Sequence, residues 1–339
     1  MKRASSYLGL LSAIMGLSLL MWLLARTGFS TIIDQIRLLG FGFFVLLLFS
    51  GARYILRTIT WRLCMKSSRN VSLLRLFKIM LVGEAFNDMS FAGPVLGDSV
   101  RVWVASRHLP SEESATSVAV ERLIYSCSVV LFLLGGVVSL LLRITVHGKA
   151  RLVTSGLIFG LLLALLVPYV IIRRRCLVVG KVLDSLKGLG IGLALLQRYE
   201  HRIRAFETSI HDFFSGQKTL FLTVLTVNIC THFVGVGEAY FILKVTGTPV
   251  SVTTAFLVES ANRAAQMLCT FVPFGLGVEE GTAGVALHAL GYGVAAGISL
   301  GIIRKIRTLF WIAAGLLLGT QYALPKTAKQ EAWEVSAQA

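Results

Sequence analysis

Runs of apolar residues long enough to cross a lipid bilayer recur along this chain and constrain its fold more than any other feature. Five such runs cover residues 7–25, 38–55, 118–142, 152–172 and 219–243, and a further apolar block covers 282–321. One span needs about 20 residues, so the block is long enough for two. Hydrophobic residues make up 55% of the 339 residues and charged residues 15%, whereas soluble domains have roughly 25% charged residues. The sequence therefore predicts an all-α polytopic membrane protein with about 7–8 spanning helices.

Basic residues give the chain a formal net charge of +16, and they cluster beside the apolar runs. Seven lie between residues 53 and 78 with no acid among them, and three arginines follow the run at 152–172. This pattern is typical of cytoplasmic loops that contact anionic lipid headgroups, and it argues against nucleic-acid binding. We therefore expect a multi-pass protein of the inner (plasma) membrane with membrane lipids as partners. The run at 7–25 follows Met-Lys-Arg without a clean cleavage site, so it is predicted to be a retained span.

The apolar runs divide the chain into two membrane halves, residues 1–172 and 219–323. A basic segment over 173–218 joins the halves, and a polar tail covers 324–339. In the basic segment, apolar residues three and four apart predict a helix that either lies on the inner leaflet or packs against the bundle. These apolar residues are Leu196, Tyr199, Ile203, Phe206, Ile210 and Phe213.

Residues 79–95 are too polar for a free span and too apolar for an ordinary loop, which predicts a broken, re-entrant helix. A second stretch has the same pattern of a glutamate, an asparagine three residues later, a proline and further acids. The first set is Glu84, Asn87, Pro94 and Asp98, and the second is Glu259, Asn262, Pro273, Glu279 and Glu280. If the second stretch is also re-entrant, the unit at 38–172 and the half at 219–323 are inverted repeats, as in many transporters. If it crosses the membrane completely, the inversion fails.

An ionised carboxylate that faces lipid at the bilayer centre costs roughly 2.5–3.5 kcal/mol on insertion scales. The acids of the two stretches must therefore face a wet cavity, pair with arginine, or lie at the interface. Arginines at 101, 122 and 263 are the available partners. We expect a polar cavity or headgroup site, with ion pairs that only hold the bundle together as the alternative.

The run at 219–243 carries a polar stripe within one face of its helix: Asn228, Thr231, His232, Gly235 and Glu238. The stripe predicts a cavity wall, or an interhelical hydrogen bond for His232. We expect no metal, because no second histidine is nearby and the five cysteines are scattered. We also expect no cofactor and no catalytic residues, because nucleotide and hydrolase motifs are not found. Glycines at 293, 297 and 301 predict a smooth helix face for close packing.

Two stretches resemble the flippase-like membrane region of lysylphosphatidylglycerol synthases. The first is "GEAFNDMSFAGPVLGDSVRVWVASRH" with "SVAVERLIYS", and the second is "VESANRAAQMLCTFVPFGLGVEEGTAGVALHALG". The wording is similar to a branch that includes hopanoid-biosynthesis-associated membrane proteins, and the resemblance covers most of residues 1–322. It implies site roles for Pro94, Gly97, Asp98, Arg101, Glu121, Arg122, Glu259, Pro273, Gly277, Glu280 and Gly281. The sequence departs from the family where "FAG" precedes the first proline and where Glu279 replaces the usual Gln or Arg, and this doubled acid weakens the match to an anionic headgroup.

The resemblance implies a flippase or transporter that moves a polar or isoprenoid lipid between leaflets. Aminoacyl transfer is not expected, because only the tail over 324–339 follows the last apolar run. One alternative is a membrane-embedded transferase that acts on lipid-linked substrates. Another is a non-catalytic scaffold with lipid-synthesis enzymes as partners.

Overall fold

The computed structural model describes residues 37, 39–66, 71–142, 149–173, 208–214, 216–270 and 272–323. The described chain is helical and contains no strand, which confirms the predicted all-α class. The main helices are α1 (Gly42–Leu63), α2 (Leu73–Met89), α3 (Gly93–Ala105), α4 (Ser111–Leu141), α5 (Lys149–Arg173), α6 (Lys218–Val245), α7 (Val252–Leu268), α8 (Val278–Ala289) and α9 (Val294–Ala323). A 3₁₀ turn, Pro273–Gly275, lies between α7 and α8.

Three of the described helices, α1, α4 and α6, are long and apolar enough to cross a membrane. The apolar block at 282–321 covers most of α8 and α9. With 12 residues, α8 is about 18 Å long, so it is too short to cross a hydrocarbon core of about 30 Å. The block therefore holds one long helix and one short helix, not two full spans. The predictions for residues 7–25 and 324–339 lie outside the described residues.

The order of the helices repeats in the two halves. Each half has a long helix, a 17-residue helix, a short helix and a second long helix, as α1–α4 and as α6–α9. Both 17-residue helices begin after a serine whose side chain accepts a backbone N–H, Ser72 from Arg75 and Ser251 from Thr254. The packing is reciprocal, because α2 contacts α9, α7 contacts α4, and α1 contacts α6. The inversion of one half relative to the other stays a prediction.

The two helix pairs, α2–α3 and α7–α8, are each interrupted by a break. The first break covers residues 90–92, and Pro94 lies in the first turn of α3, where its missing N–H is not needed. The second break covers residues 269–277 and has a left-handed backbone at Phe274 (φ 57°) and Gly277 (φ 75°). Phe274 is buried beside Leu309 and Ile312 of α9, and this packing holds it in a conformation that a non-glycine residue rarely adopts.

Close helix contacts depend on glycine. In α9, Gly297 lies against the backbone of Ala283 and Gly284 in α8, and Gly301 lies against Glu280. These contacts confirm the predicted smooth face at both positions, whereas Gly293 faces open space. The α8–α9 pairing therefore leaves no room for a side chain at Gly297.

The helical residues 208–214 belong to the end of the predicted amphipathic helix. Ile210 and Phe213 pack in an apolar cluster with Cys64, Ile124 and Val224. This end of the segment therefore packs against the bundle, and residues 196–207 lie outside the described residues.

Candidate functional site

A cavity of about 510 Å³ lies where the two halves meet, with walls from α1, α2, α3, α4, α7, α8, α9 and the second break. Its charged lining has seven cations and three carboxylates. These residues are Arg53, Arg57, Glu84, Asp88, Arg122, Arg263, Glu279, Arg304, Lys305 and Arg307. The volume is in the range of small-molecule sites, but the cationic lining is unusual for a site among apolar helices.

Asp98 of α3 joins two arginines at one edge of the cavity. Arg122 of α4 donates to both of its oxygens, at 2.7 Å from Nε and 2.8 Å from Nη2. Arg101 donates to Asp98 Oδ1 at 3.2 Å. This bidentate pair fixes the side chain of Arg122, which lines the cavity. Asp98 itself does not line the cavity.

Glu121 of α4 is completely buried and lies beside two arginines, Arg101 and Arg57. Arg101 donates to its Oε2 at 3.1 Å, and Nη2 of Arg57 lies 3.8 Å from its Oε1. Arg57 also donates to Glu84 at 2.5 Å and lies over the Tyr125 ring. We call Glu84, Asp98, Glu121, Arg57, Arg101 and Arg122 the first network. Its three acids and three arginines balance in charge.

Glu238 of α6 is completely buried and is shared by three arginines. Arg304 lies 3.2 Å from its carboxylate and Arg53 lies 3.6 Å away, and Arg307 makes the third pair. Three guanidinium groups therefore converge on one negative charge, which places α1 and α9 against α6.

Glu259 of α7 extends this arrangement. Arg304 pairs with it at 2.7 Å, and Arg263, one helical turn along α7, pairs with it at 2.9 Å. We call Glu238, Glu259, Arg53, Arg263, Arg304 and Arg307 the second network. It has four arginines and two acids.

The two adjacent acids at the start of α8 have different surroundings. Glu280 pairs with Lys305 at 2.6 Å and does not line the cavity. Glu279 lines the cavity and accepts a hydrogen bond from Gln266 of α7. Neither Glu279 nor Asp88, which accepts from Asn87, makes an ion pair within the described residues. Among the described residues, these two are the lining carboxylates that have no cationic partner.

The charged positions of the long helices correspond between the halves. Glu121 and Arg122 are the eleventh and twelfth residues of α4, and Arg304 and Lys305 are the eleventh and twelfth of α9. The twelfth residue in each case pairs with an acid of the preceding short helix. At the eleventh position the sign of the charge is reversed.

The residues predicted from sequence fall into three groups in the structure. Six line the cavity: Glu84, Asn87, Pro94, Arg122, Arg263 and Glu279. Six form ion pairs outside the lining: Asp98, Arg101, Glu121, Glu238, Glu259 and Glu280. The others are buried amides, a buried histidine, or backbone positions: Asn228, Asn262, His232, Gly97, Pro273, Gly277 and Gly281.

The polar stripe of α6 faces the protein interior but does not line the cavity. His232 hydrogen-bonds Ser128 of α4 at 2.9 Å, as an interhelical partner would. Asn228 is completely buried, and its amide has no hydrogen-bond partner within the described part of the chain. In the residues that the structure describes, no three His, Cys, Asp or Glu side chains form a group that could hold a metal ion.

Most of the cations that line the cavity are not among the site residues that the sequence predicts. The basic pattern predicts a cytoplasmic segment that includes Arg53 and Arg57, but both lie within α1. Arg304 and Arg307 lie within α9, where they are buried. The available signal was their spacing, because residues three or four apart share one helix face.

The start of α3, at Gly93, touches the second break at Thr270. Gly93 has φ +38°, and a Cβ placed there would lie 2.9 Å from the Thr270 carbonyl oxygen. We expect Gly93→Ala to push α3 away from the second break and to destabilise the protein by about 1–3 kcal/mol, as overpacking does. Thermal unfolding of the purified protein measures this loss. The matched control is Gly247→Ala, which has φ +80° but no neighbour within 4 Å; equal losses in both variants would show that the contact is unimportant.

Apolar side chains beside the breaks are exposed on the surface of the bundle. Met267 lines the cavity and is 54% exposed, and the neighbouring Leu268 is 77% exposed. Phe91, in the first break, is 78% exposed. The cavity is therefore bordered by an apolar surface suited to lipid chains.

Comparison with known proteins gives one family. The model of the lysylphosphatidylglycerol synthase TM region matches residues 8–315, which is most of the chain. Neither the curated proteins nor the solved structures gave a match. The chain therefore belongs to the family of lysylphosphatidylglycerol synthase transmembrane regions, which indicates a membrane protein of lipid metabolism or transport.

Proposed function

We propose that the protein moves a polar or isoprenoid lipid between the leaflets of the membrane. The observation that carries the proposal is the charged cavity of about 510 Å³ among apolar helices. Charged side chains inside a membrane are costly and usually serve a pathway for a polar substrate. Membership of a family associated with lipids supports a lipid as that substrate.

The position of the cavity suits a molecule with a polar end and an apolar end. The headgroup would enter between Arg122 of α4 and Arg263 of α7, which both line the cavity. The lipid chains would remain outside, against Met267 and Leu268. Because only the headgroup enters the cavity, the lipid chains are not transferred out of the bilayer, which would cost about 0.8 kcal/mol for each CH₂.

In the proposed mechanism, the two broken helix pairs are the elements that move. Pro94 of the first pair and Glu279 of the second both line the cavity, and Gly93 of the first pair meets Thr270 of the second break. A tilt of one pair against the other would open the cavity toward one leaflet and close it toward the other, as in transporters with broken helices. In this mechanism the protein binds and orients the lipid and forms no covalent bond with it.

Filling the cavity tests the proposal. Ser126 of α4 lines the cavity and is exposed, so a larger side chain there would occupy the cavity without entering the core. We expect Ser126→Trp to lower leaflet exchange at least tenfold in liposomes with fluorescent lipids, measured by quenching with membrane-impermeant dithionite. The matched control is Ser99→Trp, because Ser99 is exposed on α3 and lies outside the lining.

The labelled lipids would be a phosphatidate, a phosphatidylcholine, a diacylglycerol and an isoprenyl phosphate. Exchange above the rate of empty liposomes for at least one of them, lost in Ser126→Trp and kept in Ser99→Trp, supports the proposal. Exchange that survives in Ser126→Trp contradicts a route through the cavity. Exchange at the empty-liposome rate for every lipid contradicts autonomous transport and favours a scaffold.

A further inference from the structure

We propose that Asp88 carries a proton through the transport cycle, so that lipid and proton cross the membrane in opposite directions. The proposal rests on the function proposed above and goes beyond it, because it names a proton gradient as the energy source. With such coupling the protein would move a lipid against the lipid's own concentration gradient.

Asp88 lies where one of the moving elements ends. It is the sixteenth of the 17 residues of α2, two residues before the first break, and it lines the cavity. Its side chain is partly exposed, so water in the cavity reaches the carboxyl group. A tilt of the α2–α3 pair would therefore turn Asp88 from the solution on one side of the membrane to the solution on the other.

Asp88 differs from the other acid of α2 that lines the cavity. Glu84 pairs with Arg57 at 2.5 Å. Within the described residues Asp88 makes no ion pair, and it accepts a hydrogen bond from Asn87 at 3.2 Å. An arginine partner stabilises the charged form of a carboxylate and so opposes proton uptake. In the described part of the chain, no paired arginine opposes proton uptake by Asp88.

The ionisable groups that act on the charge of Asp88 come from four helices. These groups are Tyr54 and Arg57 of α1, Glu84 of α2, Glu279 of α8 and Arg307 of α9. Both arginines are already paired with other acids, Arg57 with Glu84 and Arg307 with Glu238. The two acids repel a negative charge on Asp88, and the arginines that attract it are shared with other carboxylates. These surroundings leave both charge states of Asp88 accessible.

The remaining charges of the elements packed against α2 are engaged elsewhere. Asp98 and Arg101 of α3 pair with each other at 3.2 Å, and Lys305 of α9 pairs with Glu280 at 2.6 Å. The 3₁₀ turn that contacts α2 has no ionisable side chain. Asp88 is therefore the acid of α2 that is available to exchange a proton with the cavity.

The end of α2 also stabilises a neutral Asp88. The last carbonyl groups of a helix have no partner within the helix, and the helix dipole places partial negative charge there. No basic residue in the last turn of α2 compensates this charge. A protonated carboxyl group can donate its O–H to a carbonyl oxygen, whereas a carboxylate has no proton to donate.

The proton step is an exchange with water. On one side of the membrane the Asp88 carboxylate takes a proton from hydronium and leaves water, and on the other side the carboxyl group returns the proton to water. Closing an empty cavity around an ionised carboxylate is costly, so the empty cavity returns with Asp88 protonated. A bound headgroup takes the place of the proton beside Asp88, so the loaded cavity moves without the proton.

Three variants test the proposal. Asp88→Asn removes the proton site and keeps a side chain of nearly the same shape, and Asp88→Glu keeps a carboxyl group. Glu112→Gln is the matched control, because Glu112 is an exposed acid in the first turn of α4 and lies outside the cavity lining. Thermal unfolding of each purified variant in detergent establishes that it is folded.

Infrared difference spectroscopy of the full chain in detergent detects proton uptake directly. Exposed Asp and Glu carboxylates stay ionised between about pH 6 and about pH 8, so a carboxyl C=O band at the lower pH reports an acid that exchanges its proton near neutral pH. We expect this band in the wild type and in Glu112→Gln. We expect Asp88→Asn to lose it and Asp88→Glu to shift it.

Coupling is measured in liposomes that contain the four fluorescent lipids named above, with a gradient of about two pH units across the membrane. Protons run toward the alkaline side, so the labelled lipid should collect in the leaflet that faces the acidic solution. For at least one lipid we expect an excess of about threefold over empty liposomes, in the wild type and in Glu112→Gln. Reversing the gradient should reverse the excess. Asp88→Asn should show no excess, and Asp88→Glu should restore it.

Exchange that ignores the gradient in the wild type would overturn proton coupling, and so would the wild-type excess in folded Asp88→Asn. Accumulation on the alkaline side would overturn the opposite movement of lipid and proton. An infrared band that survives in Asp88→Asn would overturn the assignment of the proton to Asp88. A band that depends on Asp88 without any lipid exchange would contradict the transport function alone, whereas exchange without this band would contradict the proton carrier alone.

Discussion

Glu238→Gln is expected to lower the stability of the folded protein by about 3–5 kcal/mol, the cost of removing one partner from a buried ion pair. Glu238 is completely buried and is the shared partner of Arg53, Arg304 and Arg307. Without its charge, three guanidinium groups lie close together, and among the described residues Glu259, which pairs with Arg304, remains as their ion-pair partner. Their repulsion would separate α1 and α9 from α6.

Denaturant unfolding in detergent, followed by circular dichroism, measures this loss. Glu279→Gln is the matched control, because it removes the same charge from a carboxylate that has no ion pair in the described chain and keeps a side chain that can bond Gln266. We expect the control to unfold within about 0.5 kcal/mol of the wild type, as a substitution away from the buried pairs would. A Glu238→Gln variant as stable as Glu279→Gln would show that the second network does not hold the bundle together.

Gly297→Ala is the second substitution with a large expected effect. A Cβ at this position would overlap the backbone of Ala283 and Gly284, which cannot move aside as a flexible side chain could. The expected loss is about 3 kcal/mol, at the upper end of typical overpacking. The displacement of α8 would also weaken the pair of Lys305 with Glu280, so leaflet exchange should fall together with stability.

Gly281→Ala is a control that is expected to raise the stability of the protein instead of lowering it. Gly281 lies within α8 and has no neighbour within 4 Å, so the added methyl group meets open space. Replacing glycine by alanine in a helix stabilises it by roughly 0.5–1 kcal/mol. A similar loss of thermal stability in Gly281→Ala and Gly297→Ala would mean that the close contact of α8 and α9 is not the cause.

The apolar runs predicted the long helices well, because spans are defined by local composition. The predicted run at 219–243 lies within Lys218–Val245, and the run at 152–172 lies within Lys149–Arg173. The start of α4 was missed, since its first turn contains Glu112 and Glu113 and is polar. The intermediate polarity of residues 79–95 predicts the first broken helix, whereas the sequence leaves open whether the second stretch is broken or crosses completely.

The cavity lining was harder to predict, because it depends on contacts between distant parts of the chain. The charge of Arg53 suggested a cytoplasmic position, and only the fold brings Glu238 of the other half beside it. The sequence also could not distinguish the two acids of α8. Adjacent helical residues point about 100° apart, and the packing of α8 on Gly301 turns Glu280 toward Lys305 and leaves Glu279 in the cavity.

The order of the charged residues along the chain has a consequence for synthesis into the membrane. The acids that pair with α9 lie on α6, α7 and α8, so they are already made when the basic residues of α9 leave the ribosome. Arg53 is instead made before its partner, because Glu238 lies in the second half of the chain. We therefore expect α1 to stay beside the insertion machinery, or at the membrane surface, until α6 arrives. A ribosome stalled before Glu238 should leave α1 accessible to a membrane-impermeant reagent at an introduced cysteine, and the finished chain should protect it.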